Sequence, residues 1–452
     1  MKIYNPYNKK EVGEIYLSSQ KEADAIVANA VKAQPICANL TSGERAEILK
    51  DIVDGITVHF DDFVNTIVKE SGKPYKYAKG EVLRAIQTFT IASEESKRLP
   101  HELFDLDATA KGKGLKGEYV YFPKGVVLGI SPFNFPLNLV AHKVAPAIAT
   151  GCPIILKPSE KTPLTAELLA KIIAKTKLSQ GAFQVLHCKN EVTQTLVQNK
   201  DIQLVSFTGS AKVGWDIKAA AGRKQVVLEL GGNAAAIVHQ DAELDLAIEE
   251  LLVGGFAYSG QVCIHTQRIY VHASLFDSFT QKYIQKVQAL NIGDPKNETT
   301  EFGVLINEDN AIRIESWVNE AIQAGAKSLL EGKREGAFYP PTILTHVAKG
   351  QKVRDEEVFG PVVVIEKYSQ IDEAITQVND SDWGLQAAIF TNSISIRDKT
   401  FNELKVGAVI HNKSTTFRVD DMPYGGIKAS GFGREGVRYA MMDYLEGKLL
   451  VR

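Results

Sequence analysis

The chain has 452 residues, of which 44% are hydrophobic and 23% charged, with 52 Lys and Arg against 54 Asp and Glu. This ordinary globular composition excludes a disordered chain, and a net charge of −2 gives no electrostatic reason to expect nucleic acid or an anionic membrane as partner. The length predicts roughly two to three domains of about 100–200 residues each.

The N-terminus, MKIYNPYNKK, carries no apolar core of a signal peptide. The most apolar stretch, Val120 to Leu156, is interrupted by Pro123, Lys124, Pro132, Asn134, Pro136 and Lys143. It falls short of the about 18 unbroken apolar residues that a membrane span needs. Cys37, Cys152, Cys188 and Cys263 are scattered, with neither CxxC nor Cys/His metal spacing. The expectation is a cytoplasmic protein with reduced thiols and no metal.

Residues 20–108 read as helical, with apolar residues at three- and four-residue spacing. Thr41 followed by Glu44 is a capping-box pattern. Strands are expected at 117–121 and 125–130. Strands and helices then alternate, with strands at 153–156, 183–186, 204–207 and 226–229 and helices at 164–177, 192–198 and 213–221. That alternation predicts an α/β chain with a doubly wound parallel sheet. A second alternating block follows residue 240, with a helix over 243–258, a strand over 267–272 and helices over 274–290 and 310–324.

Three glycine motifs stand out. Gly431-Phe432-Gly433-Arg434-Glu435-Gly436 matches GxGxxG, but no strand precedes it and only 16 residues follow, so it reads as a flexible turn. Gly209-Ser210-Ala211-Lys212-Val213-Gly214 lacks the Lys-Ser/Thr ending of a phosphate loop. It still follows a strand and opens a helix, whose free N–H groups suit a pyrophosphate as well as an ordinary turn. Gly231-Gly232 follows a strand ending on Glu229, and reads either as a close backbone approach or as a hinge. A lone cysteine in an apolar run is usually a small buried hydrophobe. Cys263 differs in having the open turn at Gly260 before it, and a carboxylate at a strand end, Glu229, is a sensible partner for a nucleophilic thiol.

Seven segments in order, Pro132-Phe133-Asn134-Phe135-Pro136, Leu156-Lys157-Pro158-Ser159-Glu160, Phe207-Thr208-Gly209-Ser210, Glu229-Leu230-Gly231-Gly232-Asn233, Gly260-Gln261-Val262-Cys263, Glu357-Val358-Phe359-Gly360-Pro361 and Pro423-Tyr424-Gly425-Gly426, resemble the aldehyde dehydrogenase superfamily over nearly the whole chain. The resemblance implies that Cys263 attacks an aldehyde. Asn134 and the Cys263 N–H would hold the oxyanion, a contribution of roughly 2.7–4 kcal/mol per donor, and Glu229 would activate water against the thioester. It implies NAD as cofactor, with NADP possible. Contacts are implied at Ser131, Pro132, Phe133, Lys157, Ser159, Glu160, Gly209, Ser210, Leu230, Gly231, Glu357 and Phe359. Glu160 would accept from a free 2′-hydroxyl and repel a 2′-phosphate, which favours NAD.

For the substrate, three donors read as convergent. His142 is eight residues after Asn134, two turns along if one helix carries both. His265 points to the same side as Cys263 if the segment is extended. Arg418 lies in the loop 412–422. They suit a short hydroxy- or anion-bearing aldehyde and resemble the lactaldehyde branch; the plainer reading is two buried structural histidines and a salt-bridging arginine. The resemblance further implies a Rossmann-like coenzyme domain from 1–104 and 124–230, an α/β catalytic domain from 231–429, and a small oligomerisation β-element from 105–123 and 430–452 in a homodimer or homotetramer. Competing readings are a dehydrogenase that passes the acyl group to coenzyme A, a cofactor-independent thiol hydrolase and a catalytically silent scaffold. Glu229 argues against the first, the cofactor segments against the second, and Cys263, Asn134 and Glu229 together against the third.

Overall fold

In the computed structural model, which describes residues 1–452, two sheets share one cleft. The first runs in the order Gly431–Phe432, Gln225–Glu229, Ile202–Thr208, Val126–Ile130, Ile154–Lys157, Phe183–Val185, all parallel except the first. Its strands are continuous apolar runs because both faces are covered. Val127, Ile154, Leu156 and Leu204 enter one core, while Val126, Leu128, Ile155 and Val205 enter another on the opposite face. This is the two-residue alternation of a pleated strand.

The second sheet has the order Lys327–Leu330, Thr342–Thr345, Val362–Tyr368, Thr266–His272, Ala234–Val238, Gln386–Phe390, Ala408–His411, parallel apart from Lys327–Leu330. Its strand Ala234–Val238 has no counterpart in the sequence reading, because three alanines carry little β-propensity and tertiary burial on both faces decides the matter. The link Leu230–Asn233 joins Gln225–Glu229 to it. The carboxyl ends of the first sheet therefore face the amino ends of the second.

The N-terminal helices are Gln20–Ala38, Ser42–Val58, Phe60–Ser71 and Tyr75–Glu95. Thr41 and Glu44 form the capping box, with Glu44 N–H donating to Thr41 Oγ1 at 3.2 Å and Thr41 N–H to Glu44 at 2.7 Å. The helical reading fails over its last residues. His101–Asp105 is a strand, paired with Lys116–Pro123, which in turn pairs Val120 with Lys448 and Val451 with Gly117. The cause is the partner edge that Lys116–Pro123 offers.

The GxGxxG segment is not a free turn. Gly431–Phe432 adds antiparallel to Gln225–Glu229, and the helix Val437–Asp443 packs on the first core through Val437 and Met441. Residues 431–443 thus stand with the first sheet and not with the terminal strand. No helix is long and apolar enough to cross a membrane.

Candidate active site

Cys263 sits where two devices meet. The helix Leu244–Phe256 stops short of the expected 258, because Tyr258, Ser259 and Gly260 turn left-handed, at φ of 50°, 52° and 71°. Ser259 Oγ donates to Gly303 O at 2.9 Å and Gln261 Oε1 accepts from Ile306 N–H at 2.9 Å, so the strained turn is anchored on both sides. Residues 262–265 then fold back, with His265 N–H donating to Val262 O at 2.9 Å, before the strand Thr266–His272 begins.

The fold-back corrects one expectation. The segment is not extended, and His265 points into the protein, where Nε2 bonds the Gly255 carbonyl at 2.9 Å. Burial pushes its pKa down to about 4, so it is a neutral, satisfied histidine and gives Cys263 no charge.

All fifteen residues named for catalysis or cofactor, Cys263 included, line one cleft of about 480 Å³. Ser131, Pro132, Phe133 and Asn134 follow the strand Val126–Ile130. Lys157, Ser159 and Glu160 close Ile154–Lys157. Gly209 and Ser210 follow Ile202–Thr208, and Glu229, Leu230 and Gly231 close Gln225–Glu229. Glu357 and Phe359 arrive from the turn before Val362–Tyr368. Such crevices at carboxyl strand ends are where open α/β sheets bind ligands.

The lining fits a dinucleotide. The helix Ala211–Ala220 begins behind Ser210 without a side-chain cap, which leaves N–H groups for a pyrophosphate. The Ser131 hydroxyl is buried without a partner. Gly231 touches the Glu357 carboxylate so closely that a β-carbon would collide with it, and Gly232 N–H donates to Glu357 Oε1 at 3.1 Å. Burial moves Glu357 up to about 7. The sequence reading missed Arg313 and Asn310, which line the same cleft from the helix Glu308–Gln323; Arg313 is held by the Val358 carbonyl at 2.6 Å. No motif marks them.

Asn134 lies in the loop before the helix Asn138–Thr150, not on it with His142. Its Nδ2 donates to Gln261 O at 3.0 Å, which leaves the second amide proton for a substrate oxygen. The Cys263 N–H donates to no protein group. The thiol, half-buried, lies 3.1 Å from the Tyr424 hydroxyl, and burial pushes it up to about 11. Glu229 is buried with neither carboxylate oxygen bonded, and burial together with the nearby Glu435 raises its pKa well above the usual range.

Behind Cys263 lies a buried charge cluster. Arg418 stacks its guanidinium 3.7 Å from the Tyr424 ring and donates to Glu435 at 3.0 Å. Lys143 donates to Thr208 Oγ1 at 2.7 Å and Ser206 Oγ at 3.1 Å, and lies 3.4 Å from Glu435. Burial works against the Glu435 carboxylate, yet Lys143 and Arg418 hold it at about 2. Asp420 accepts from His142 Nε2–H at 2.8 Å, Asn138 Nδ2 at 3.1 Å and Arg84 at 2.7 and 3.2 Å. Burial again opposes, but His142 and Arg84 keep Asp420 well below the carboxylate range. Burial, and after it the nearby Arg418, lower the His142 pKa; its Nε2 is turned toward Asp420 and its Nδ1 is buried without a partner. Neither His142 nor Arg418 lines the cofactor cleft.

The family model for the aldehyde dehydrogenase family matches residues 1–450. The 3-sulfolactaldehyde dehydrogenase of Priestia megaterium is 41% identical over 452 residues, all of this chain and 94% of that protein. The lactaldehyde dehydrogenase of Methanocaldococcus jannaschii is 39% identical over 460 residues, covering 100% of this chain and 97% of its own length. Among solved structures, aldehyde dehydrogenase 21 from Physcomitrella patens, in complex with the reaction product succinate, superposes with a TM-score of 0.99 at 45% identity, over 100% of this chain and 94% of that one. The chain belongs to the aldehyde dehydrogenase family, the NAD(P)-dependent oxidoreductases of aldehydes.

Proposed function

We propose that the enzyme oxidises a short aldehyde carrying a hydroxyl or anionic group, such as lactaldehyde, to its carboxylate through a thioester on Cys263. The observation that carries this reading is the presence of Cys263, Asn134 and Glu229 in the cleft that the dinucleotide-type loops line. Cys263 attacks as thiolate and its sulfur bonds the carbonyl carbon. The oxygen takes the negative charge and receives hydrogen bonds from the free Asn134 amide proton and the Cys263 N–H. When bound, the nicotinamide ring supplies the hydride acceptor. Glu229 then takes a proton from the water that attacks the thioester, a task suited to a carboxyl whose pKa burial has raised.

The polar substrate is supported by charge. Arg84 pairs with Asp420, and Arg418 and Lys143 share Glu435, while Arg84 keeps 28% of its side chain exposed. Three cations thus share two bonded carboxylates, and an anionic tail supplies them a further acceptor. The relatives named for sulfolactaldehyde and the neighbour holding succinate carry such tails.

The unbonded Glu229 opposes acyl transfer to coenzyme A, and the cofactor loops oppose a thiol hydrolase. We assign the first sheet to the coenzyme domain and the second to the catalytic domain. The three-stranded sheet of His101–Asp105, Lys116–Pro123 and Leu445–Val451 is the contact in a homodimer or homotetramer. It leaves Leu103, Phe104, Leu449, Leu450 and Val451 exposed.

The test is nicotinamide reduction with lactaldehyde, succinic semialdehyde, propanal and benzaldehyde. Cys263→Ala should lower turnover by at least about 10³-fold. Arg84→Ala should raise KM for the anionic aldehyde about tenfold or more and leave propanal unchanged. Equal kcat/KM for propanal and the polar aldehydes in the unaltered enzyme would sink the substrate reading and leave the chemistry.

A further inference from the structure

We infer that Tyr424 is a further catalytic residue, whose phenol donates a hydrogen bond to the Cys263 sulfur and holds it as a thiolate aimed at the substrate. The inference rests on Cys263 being the nucleophile.

The Tyr424 hydroxyl lies 3.1 Å from Sγ and bonds nothing else. Its backbone and its ring are both held in place. Tyr424 N–H donates to Glu435 O at 3.0 Å, Glu435 N–H returns a bond to Tyr424 O at 2.6 Å, and the ring, 3% exposed, packs with Ile264 and Leu385. No other side chain bonds the thiol, and the Glu229 carboxylate bonds no protein group.

The direction of the bond follows from chemistry. A thiolate can only accept, and a phenol can donate. The Tyr424 proton stays on oxygen, because burial, and with it the charge of Cys263, raises its pKa well above 10. Arg418 lies 3.7 Å over the ring face, and its positive field draws electron density from the phenol and strengthens the O–H donor. On ionisation the S–H proton goes to water or to the Glu229 carboxylate, and Tyr424 loses nothing. As the C–S bond forms, sulfur gives up its charge and the hydrogen bond weakens. Tyr424 therefore acts on the population of thiolate, against burial, which pushes the thiol up to about 11.

This predicts a signature that a merely structural tyrosine would not produce. In Tyr424→Phe the ring stays under Arg418 and only the oxygen is lost. The pH midpoint for alkylation of Cys263 by iodoacetamide, followed by mass spectrometry of its peptide, should rise by about one unit, which is about tenfold less thiolate at neutral pH. The limiting rate at high pH should be unchanged or higher, since a more basic thiolate is more nucleophilic. The acid limb of kcat/KM should move up by the same amount. Site-specific replacement of Tyr424 by 3,5-difluorotyrosine, a stronger donor, should move the midpoint down and decides the matter if the phenylalanine variant does not fold. An unmoved midpoint in whichever of these variants folds overturns the inference. Turnover that survives Cys263→Ala would instead remove the nucleophile assignment beneath it, an outcome the alkylation profile cannot mimic.

Discussion

On one side of Cys263 the cleft is made of strand ends and the turns that follow them. Behind Cys263, outside that cleft, stand charged side chains carried in from residues 84, 143, 418, 420 and 435. The cofactor side works through backbone N–H groups, glycines and short contiguous loops, so each piece is fixed by its own neighbours in sequence. The charged side exists only when helix Tyr75–Glu95, helix Asn138–Thr150 and the segment 412–436 are packed together. The first kind of site tolerates change in any one side chain, whereas the second depends on every charge finding its partner in a dry place.

Asp420→Ala tests that contrast hardest. It removes the acceptor for Arg84, Asn138 and His142 at once and leaves the Asn138 and His142 donors buried, so unfolding free energy should fall by about 3–5 kcal/mol. The pH dependence has a fixed sign. The folded pKa of Asp420 lies below its unfolded value of about 3.9, so its stabilisation is fully present above that value and is lost as pH falls through the folded one. Urea denaturation should therefore show a constant gap between the two proteins above about pH 5, narrowing below about pH 4. A loss under about 1 kcal/mol would mean the charged side is as tolerant as the cofactor side, and the contrast fails.

The same contrast explains what was legible in the sequence. The cofactor cleft was readable because its residues sit in motifs of four or five neighbours, and the alternation of strands and helices fixed where those motifs end. His265 misled because two residues of spacing place side chains together only on an extended chain, and here a left-handed turn and a fold-back intervene. Glu435 was hidden inside a glycine motif that reads as a loose turn, although its antiparallel bridge to Tyr424 and the pairing of Gly431–Phe432 make that segment part of the first sheet. Arg84 carries no local pattern at all, since its role comes from Asp420, 336 residues away.

A second variant sharpens the comparison through the base. Glu435 raises the pKa of Glu229 by repulsion, after burial the largest cause. Glu435→Gln removes that repulsion, so Glu229 should lose its proton at lower pH and the alkaline rise of the deacylation rate should begin earlier, by about one unit. The check is the pH profile of kcat for a substrate limited by thioester hydrolysis. The variant also strips a partner from Arg418 and Lys143, so kcat should fall even as its profile shifts. A fall with no shift would assign Glu435 to structure alone.

The smallest effect belongs to the cofactor side. Glu160 is exposed at the lip of the cleft, on the turn after Ile154–Lys157. Its carboxylate would face the 2′-phosphate of NADP through water, where two unit charges at 4 Å repel by only about 1 kcal/mol and salt screens what remains. Glu160→Gln should thus improve kcat/KM for NADP by about fivefold at low salt and less at physiological salt, with NAD changed by no more than about threefold. Stability should be untouched, because no buried group loses a partner. If the ratio of the two cofactors stays put, discrimination lies in the backbone and in Lys157, and the cofactor side is even less dependent on single side chains than the charge cluster behind Cys263. If the ratio moves by far more than salt screening allows, Glu160 is held in a drier setting than its exposure indicates, and the two sides differ less than their burial implies.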